Sequence, residues 1–176
     1  DFIEDQQHAV AVADLADPAE VPRRGGDRAR RGADDGFRHE GDDRFHTMGD
    51  PTEGALVVAA AKMGYWKSSL DSSFPRAAEL PFDSERKRMT TVHHLGQYDP
   101  TVLSGLEIGD KRYIAFTKGG VDGLLDITSH VWADGKSVAL KERWMSKIDA
   151  ANEKKKKKGM RVLGVGFRLM NSIPEI

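Results

Sequence analysis

Glu79-Leu-Pro-Phe-Asp-Ser-Glu-Arg-Lys-Arg-Met89 is the stretch on which the fold reading turns. An extended piece from Glu79 to Phe82 stops at the polar run Asp83-Ser-Glu-Arg-Lys87, and a second extended piece follows from Lys87 to Leu95, as for two strands joined by a short turn. Pro81 has no amide hydrogen to give to a ladder, so the first piece reads as an edge or bulged strand. Phe82 sits where apolar sequence gives way to charge, and two readings of it stand side by side. It is a ring placed to stack on a base, a contact worth roughly 1–3 kcal/mol, or it is an ordinary core phenylalanine at a strand end.

Upstream, Gly49-Asp-Pro-Thr-Glu-Gly54 opens a helix. Asp50 suits the N-cap, Pro51 the first helical position, and Glu53 follows the cap by three residues as in a capping box. Leu56, Ala59, Ala60 and Met63 share one face at helical spacing, and Gly64 stops the helix. Ser68 to Pro75 reads as loop. Downstream, the glycines and proline between Gly96 and Asp110 imply a hairpin return, and Arg112 to Thr117 alternates as a strand. Val121, Leu124 and Leu125 mark a short helix. Asp134-Gly135 between Ser129–Trp132 and Ser137–Leu140 is a two-residue hairpin signal. Leu140, Trp144 and Ile148 predict a helix running to about Lys158 and closed by Gly159. The almost unbroken apolar run from Arg161 to Leu169 reads as a strand covered on both faces. Strands joined by hairpin loops and interrupted by helices give the α+β class, an antiparallel β-sheet flanked by helices.

The first 45 residues are harder to assign, and 46–176 are taken as the folded domain. Ala9 to Leu15 suits a short strand or helix. Residues 17 to 44 read as loop or disorder, because Pro22-Arg-Arg-Gly-Gly-Asp-Arg-Ala-Arg-Arg-Gly-Ala-Asp-Asp-Gly36 offers almost no apolar surface to offset its ordering entropy.

The chain has 176 residues, a formal net charge of −1 and no cysteine. That length can bury a core as one domain, and the near-neutral balance gives no global argument for nucleic acid. Without cysteine there are no disulfides and no thiolate zinc sites. The longest apolar run, Ala55 to Ala61, is far short of the roughly 20 residues of a membrane span. Asp1, Glu4 and Asp5 stand where a leader peptide carries basic residues, so no secretory leader is expected. The composition is that of a soluble domain.

Other positions carry a chemical and a plain reading together. Lys118-Gly119-Gly120 ends a strand and opens a helix, where close backbone approach and free amides favour an anion; a solvated lysine at an ordinary turn explains the same residues. Glu53 is accounted for by capping. Arg161 reaches for a phosphate or is a solvated strand-end arginine. Lys154 to Lys158 complements the helix dipole. No P-loop pattern occurs. His93 and His94 point to opposite faces of a strand, the other histidines lack ligand spacing, and no metal site is expected.

Taken in order, Gly49-Asp-Pro-Thr-Glu-Gly-Ala-Leu56, Pro81-Phe-Asp-Ser-Glu-Arg-Lys87, Lys118-Gly-Gly120 and Gly159-Met-Arg-Val-Leu-Gly164 resemble the nucleotide-binding domain of P-type cation-transporting ATPases, in their calcium-pump-like branch. The resemblance covers about His46 to Leu169. It implies an antiparallel sheet with helices and ATP at one end. Phe82 would stack on adenine, with Glu53 near the adenine amino edge and Thr52 beside it. Lys87 and Lys118 would line the pocket, Gly119 and Gly120 would give backbone room, and Arg161 would contact the phosphates. Three departures stand out. Gly120-Val121 replaces the family's alanine and proline, Ser84 stands where some animal pumps carry arginine, and residues 1–45 do not resemble the family's preceding segment.

The chain has no Asp-Lys-Thr-Gly-Thr phosphorylation motif and no Thr-Gly-Asp actuator loop. The resemblance therefore implies a cytoplasmic, ATP-holding piece of a membrane-embedded cation pump. Its partners would be ATP (with magnesium in the whole enzyme), a phosphorylation domain, an actuator domain and membrane helices. The fragment itself is expected to be a monomer without catalytic residues or nucleic-acid binding. The competing reading is a non-catalytic module that binds polyanions through Arg23–Arg31 and Lys154–Lys158.

Overall fold

Alternation builds the centre of the structure, a computed structural model that describes residues 9–12, 37–40, 44–47, 51–96, 102–103 and 105–174. The chain divides into two units, one formed by 1–14 with 74–176 and the other by 15–73.

The first unit holds a seven-stranded sheet. Its strands are β1 (Ala9–Val12), β4 (Arg76–Asp83), β5 (Arg88–His94), β6 (Tyr113–Gly119), β7 (His130–Ala133), β8 (Lys136–Ala139) and β9 (Gly164–Met170), in the order β4-β5-β6-β9-β1-β7-β8; β2 and β3 belong to the other unit. All neighbours are antiparallel except β1 and β7, which run parallel. The α+β expectation holds, with that one parallel pair added. Ala9 to Val12 resolves as a strand, hydrogen-bonded between β9 and β7.

One sheet face carries Val92 and Ala115, both buried, with Met170 across from Tyr113, and Ala78 and Ile173 close around this core. On the same face Thr90 and Thr117 share a buried hydroxyl pair at 2.8 Å, so neither hydroxyl is left unsatisfied. The other face carries Ile114, fully buried, and the edge-on pair His93–Phe116. His93 is tied at both ring nitrogens, Nδ1 to the Phe74 carbonyl at 2.8 Å and Nε2 to Thr91 Oγ1 at 3.0 Å. Helix α3 (Val121–Leu125) buries Val121, Leu124 and Leu125 and lies by β9, β1 and β6. Helix α4 (Glu142–Lys156) precedes Gly159, whose φ of +73° marks the expected stop. The Asp134-Gly135 hairpin forms as expected, with both residues at positive φ.

In the second unit β2 (Phe37–Glu40) and β3 (Arg44–Thr47) pair antiparallel, followed by α1 (Pro51–Lys62) and α2 (Lys67–Ser73). Several expectations need correction. Part of the 17–44 stretch is strand: Phe37–Glu40 forms β2, and Arg44 begins β3. Residues 17–36 and 41–43 lie outside the described residues, as does the Asp50 cap. Ser68 to Ser73 is helical rather than loop. There Lys67 pairs with Asp71 at 2.6 Å one turn on, and Ser72 Oγ donates to the Ser68 carbonyl at 3.0 Å, local bonds that offset weak serine propensity. Met63 is 56% exposed and falls beyond α1, so it does not share a buried face. Leu140 precedes α4 instead of belonging to it. Finally, β9 begins at Gly164 and not at Arg161, because its partner β6 ends at Gly119, the residue opposite Gly164.

Candidate functional site

The strand register draws one row across the sheet. Asp83 pairs with Arg88, Arg88 with Gly119, Gly119 with Gly164, and Gly164 with Val12. At roughly 4.8 Å per strand, Asp83 and Gly164 stand about 14 Å apart. Phe82, Lys87, Lys118, Gly119 and Gly120 all lie at this row or next to it, and Arg161 leads into it three residues before Gly164. Motifs nearly 80 residues apart in sequence thus share one end of one sheet.

The local turn explains how Phe82 is presented. The ladder shifts register between Leu80 and Asp83, the bulge that Pro81 predicts on this edge strand. Asp83 then organises the turn: its Oδ1 accepts the Arg86 amide at 2.7 Å and the Glu85 amide at 3.0 Å, and its carbonyl accepts the Lys87 amide at 2.7 Å. Arg86 completes it, with its guanidinium donating to the Pro81 carbonyl at 3.3 Å. The Arg86 amide holds the Asp83 carboxyl below its ordinary value of 3.8; desolvation, next in size, opposes it, and the Glu85 amide and the Arg86 and Arg88 charges add to the lowering. With its neighbours tied down, Phe82 projects outward at 63% exposure. It is not the core phenylalanine of the plain reading.

The two glycines of the Lys118 motif differ. A Cβ on Gly119 would come within 2.5 Å of the Lys87 carbonyl oxygen and 2.7 Å of Arg88 Cβ, whereas one on Gly120 would meet nothing within 4 Å. Gly119 therefore makes room for the neighbouring strand. The Gly120 amide donates to the Lys87 carbonyl at 3.3 Å, which joins the Phe82 turn to the Lys118 turn directly; Lys87 itself takes φ of +51° to reach that contact. Lys118 is half-buried on the sheet face of Met89 and Val165, its cross-strand neighbours. Arg161 is exposed. Thr52 and Glu53 lie on α1 in the other unit; Thr52 is half-buried, and the Glu53 side chain lies outside the described residues.

Sequence reasoning missed Arg88. Its guanidinium reaches the carbonyls of Gly123 and Arg86, both at 3.4 Å, and thereby links α3 to the turn, while its buried Nε has no hydrogen-bond partner. The signal was its place opposite a glycine, visible only once register is known. Among the basic segments, Lys154 to Lys158 forms the exposed end of α4 with Lys155 half-buried, and Arg23–Arg31 lies outside the described residues.

The family described as "P-type ATPase, cytoplasmic domain N" matches residues 33–175, which begins earlier than the His46 start expected from the motifs. The chain is 36% identical over 124 residues to calcium-transporting ATPase 1 of Bacillus cereus, covering 70% of this chain and 12% of that protein. It is 34% identical over 135 residues to calcium-transporting ATPase 1 of Lactococcus lactis, covering 77% of this chain and 13% of that protein. To the probable cation-transporting ATPase F of Mycobacterium tuberculosis it is 34% identical over 125 residues, 70% of this chain and 12% of that protein. The chain spans about an eighth of the length of these relatives.

Proposed function

The chain belongs to the P-type ATPase cytoplasmic N domain family, and we propose that it holds ATP at the Phe82–Gly119 end of its sheet for an ATP-hydrolysing cation pump. The observation that carries this reading is the row from Asp83 to Gly164, which puts an outward-facing aromatic beside two lysine-bearing segments. In the proposed site Phe82 stacks on adenine, Lys87 and Lys118 face the nucleotide's negative charge, and Gly119 and Gly120 keep the backbone low between them. Arg161 contacts the phosphates. Thr52 and Glu53 are assigned to the adenine amino edge on family grounds alone. The functional domain is taken as 46–176, with Ala9–Val12 completing its sheet.

The wider role follows from the relatives' names. A cation, with calcium favoured, is moved across a membrane by the whole pump, and this domain works on the cytoplasmic side beside a phosphorylation domain, an actuator domain and membrane helices. In-line transfer needs a nucleophile and metal-held phosphates together. The sequence contains no Asp-Lys-Thr-Gly-Thr acceptor, so the aspartate that takes the γ-phosphate, and the magnesium-dependent step, belong to another part of that pump.

Titration with ATP followed by amide NMR shifts tests the reading. One stacking contact plus exposed cations should give a dissociation constant on the order of 0.1 to several mM, with shifts centred on Phe82, Lys87 and Gly119. No saturable shift up to about 10 mM would remove the assignment. Incubation with γ-labelled ATP should leave no acid-stable, hydroxylamine-sensitive label, whereas a stoichiometric aspartyl-phosphate would mean that the chain is itself a phosphoryl acceptor.

A further inference from the structure

The bulge that carries Phe82 leaves the position of the ring to be fixed by something other than the sheet. Leu80 pairs with Thr90 and Asp83 with Arg88, so Pro81 and Phe82 stand together against Met89 alone. A bulge of this kind takes its extra residue out of the ladder. The Phe82 ring is exposed, so packing does not hold it either. Where the ring points is decided by the backbone on its two sides.

Arg86 bonds both of those sides. Its guanidinium donates to the Pro81 carbonyl at 3.3 Å, one residue before Phe82, and its amide donates to Asp83 Oδ1 at 2.7 Å, one residue after. The Arg86 Nε also stands 3.8 Å from Asp83 Oδ1, which adds a weak charge pair to the clasp. The half-buried Arg86 is in turn anchored from behind. The Arg88 guanidinium donates to the Arg86 carbonyl and to the Gly123 carbonyl of α3, both at 3.4 Å. A Cβ on Gly123 would lie 3.7 Å from the Arg86 carbonyl oxygen, an ordinary contact distance, so α3 abuts this turn. One line of bonds thus runs from α3 through Arg88 and Arg86 to the two neighbours of Phe82.

We infer that Arg86 is a positioning residue, which acts by holding the Pro81–Asp83 bulge so that the Phe82 ring is set before a base arrives. The inference rests on the reading of Phe82 as the adenine stack. An exposed ring on a loose bulge has to be ordered at the moment of binding, and that ordering is subtracted from affinity; a ring already held loses less. Adenine is common to ATP, ADP and AMP, so the contribution of Arg86 is independent of the number of phosphates. A guanidinium that met the phosphates directly would instead favour the longer nucleotides.

Arg86→Ala, Phe82→Ala and the double variant of the full chain are titrated with ATP, ADP and AMP by NMR, and backbone relaxation is measured without nucleotide. Arg86→Ala keeps the amide bond to Asp83 and should fold like the parent. It should weaken all three nucleotides by a similar factor, about threefold or more. In the Phe82→Ala background the same substitution should change affinity by less than about 1.5-fold, since an absent ring cannot be misplaced. Arg86→Lys, which keeps a donor for the Pro81 carbonyl, should recover part of the loss. In the free chain, Arg86→Ala should lower the order parameters of the Phe82 and Asp83 amides from about 0.85 to below about 0.6 and leave Lys118 unchanged. The inference is overturned if Arg86→Ala weakens ATP more than AMP, if its effect persists undiminished without the Phe82 ring, if affinities match the parent, or if the order parameters do not move. Failure of the parent chain to bind any of the three removes the reading of the site itself, and the free-chain order parameters then decide alone whether Arg86 fixes the bulge.

Discussion

The two ends of the sheet solve opposite problems with similar residues. At the Phe82 end, backbone lies on backbone: the Gly120 amide bonds the Lys87 carbonyl, Gly119 has no room for a Cβ, and the aromatic stands out at 63% exposure. At the Trp132 end a loop presses on a hairpin: a Cβ on Gly105 would fall 2.9 Å from the Gly135 carbonyl and 3.2 Å from the Trp132 ring, and Trp132 packs edge to face on Phe167. Aromatics and cations alone do not distinguish the two, and the glycines do. Gly119 lets a strand lie against its neighbour, whereas Gly105 seats a loop on the β7–β8 hairpin.

The strongest way to break this comparison is Gly119→Ala. The new methyl would meet the Lys87 carbonyl oxygen at 2.5 Å, a backbone atom in the turn leading into β5 that is already held by the Gly120 amide. Overpacking of this kind typically costs about 1–3 kcal/mol, and the upper part of that range is expected in urea unfolding. A loss below about 0.5 kcal/mol would mean that the two turns are looser than the close approach implies.

That contact was not legible in the sequence, although its ingredients were. Pro81 announced a bulged edge strand, Asp134-Gly135 a hairpin, and Val121, Leu124 and Leu125 a buried helix face, because each signal lies within a few residues of its effect. Helix α2 escaped because its support is a pair of local side-chain bonds in a serine-rich stretch. Strand β1 escaped as a sheet member because a four-residue strand gains its meaning from β9 and β7, more than a hundred residues on. The candidate site was readable as ordered motifs, but Arg88 and the Trp132–Phe167 pair depend on register, which no local pattern carries.

Next in size is the division of labour at the proposed nucleotide end. Phe82→Ala should weaken ATP, ADP and AMP by similar factors, corresponding to about 1–3 kcal/mol of stacking, and should leave the unfolding midpoint almost unchanged because the ring is exposed. Arg161→Ala should weaken ATP and ADP more than AMP. Calorimetric or NMR affinities for the three nucleotides check this, and identical profiles for the two variants would dissolve the assignment of base and phosphate to opposite parts of the row.

A smaller effect concerns acid. Because Asp83 titrates below its ordinary value of 3.8 when folded, the turn's stabilisation is fully present above that value and is lost as pH falls through the lowered one. Asp83→Ala should therefore lower stability at neutral pH, with the difference from the parent chain shrinking in acid. Urea midpoints between pH 7 and about pH 3 measure it. A gap that widens in acid would reverse the sign and place the stabilising bonds on the protonated carboxyl.

The smallest expected effect is the sharpest complement to Gly119→Ala. Gly120 has φ of −60° and ψ of 139°, ordinary extended backbone, and a Cβ there would meet nothing within 4 Å. Replacing it by alanine asks nothing new of the folded chain and narrows the unfolded ensemble, a change worth about 0.4–1 kcal/mol of added stability at compatible sites. Gly120→Ala should thus raise the unfolding midpoint slightly, while the methyl enters the backbone room assigned to the nucleotide and weakens ATP by more than about twofold. Adjacent glycines would then respond with opposite signs to the same methyl group. If Gly120→Ala leaves ATP affinity unchanged, the open space above Gly120 is not used by the nucleotide, and its place in the proposed site falls.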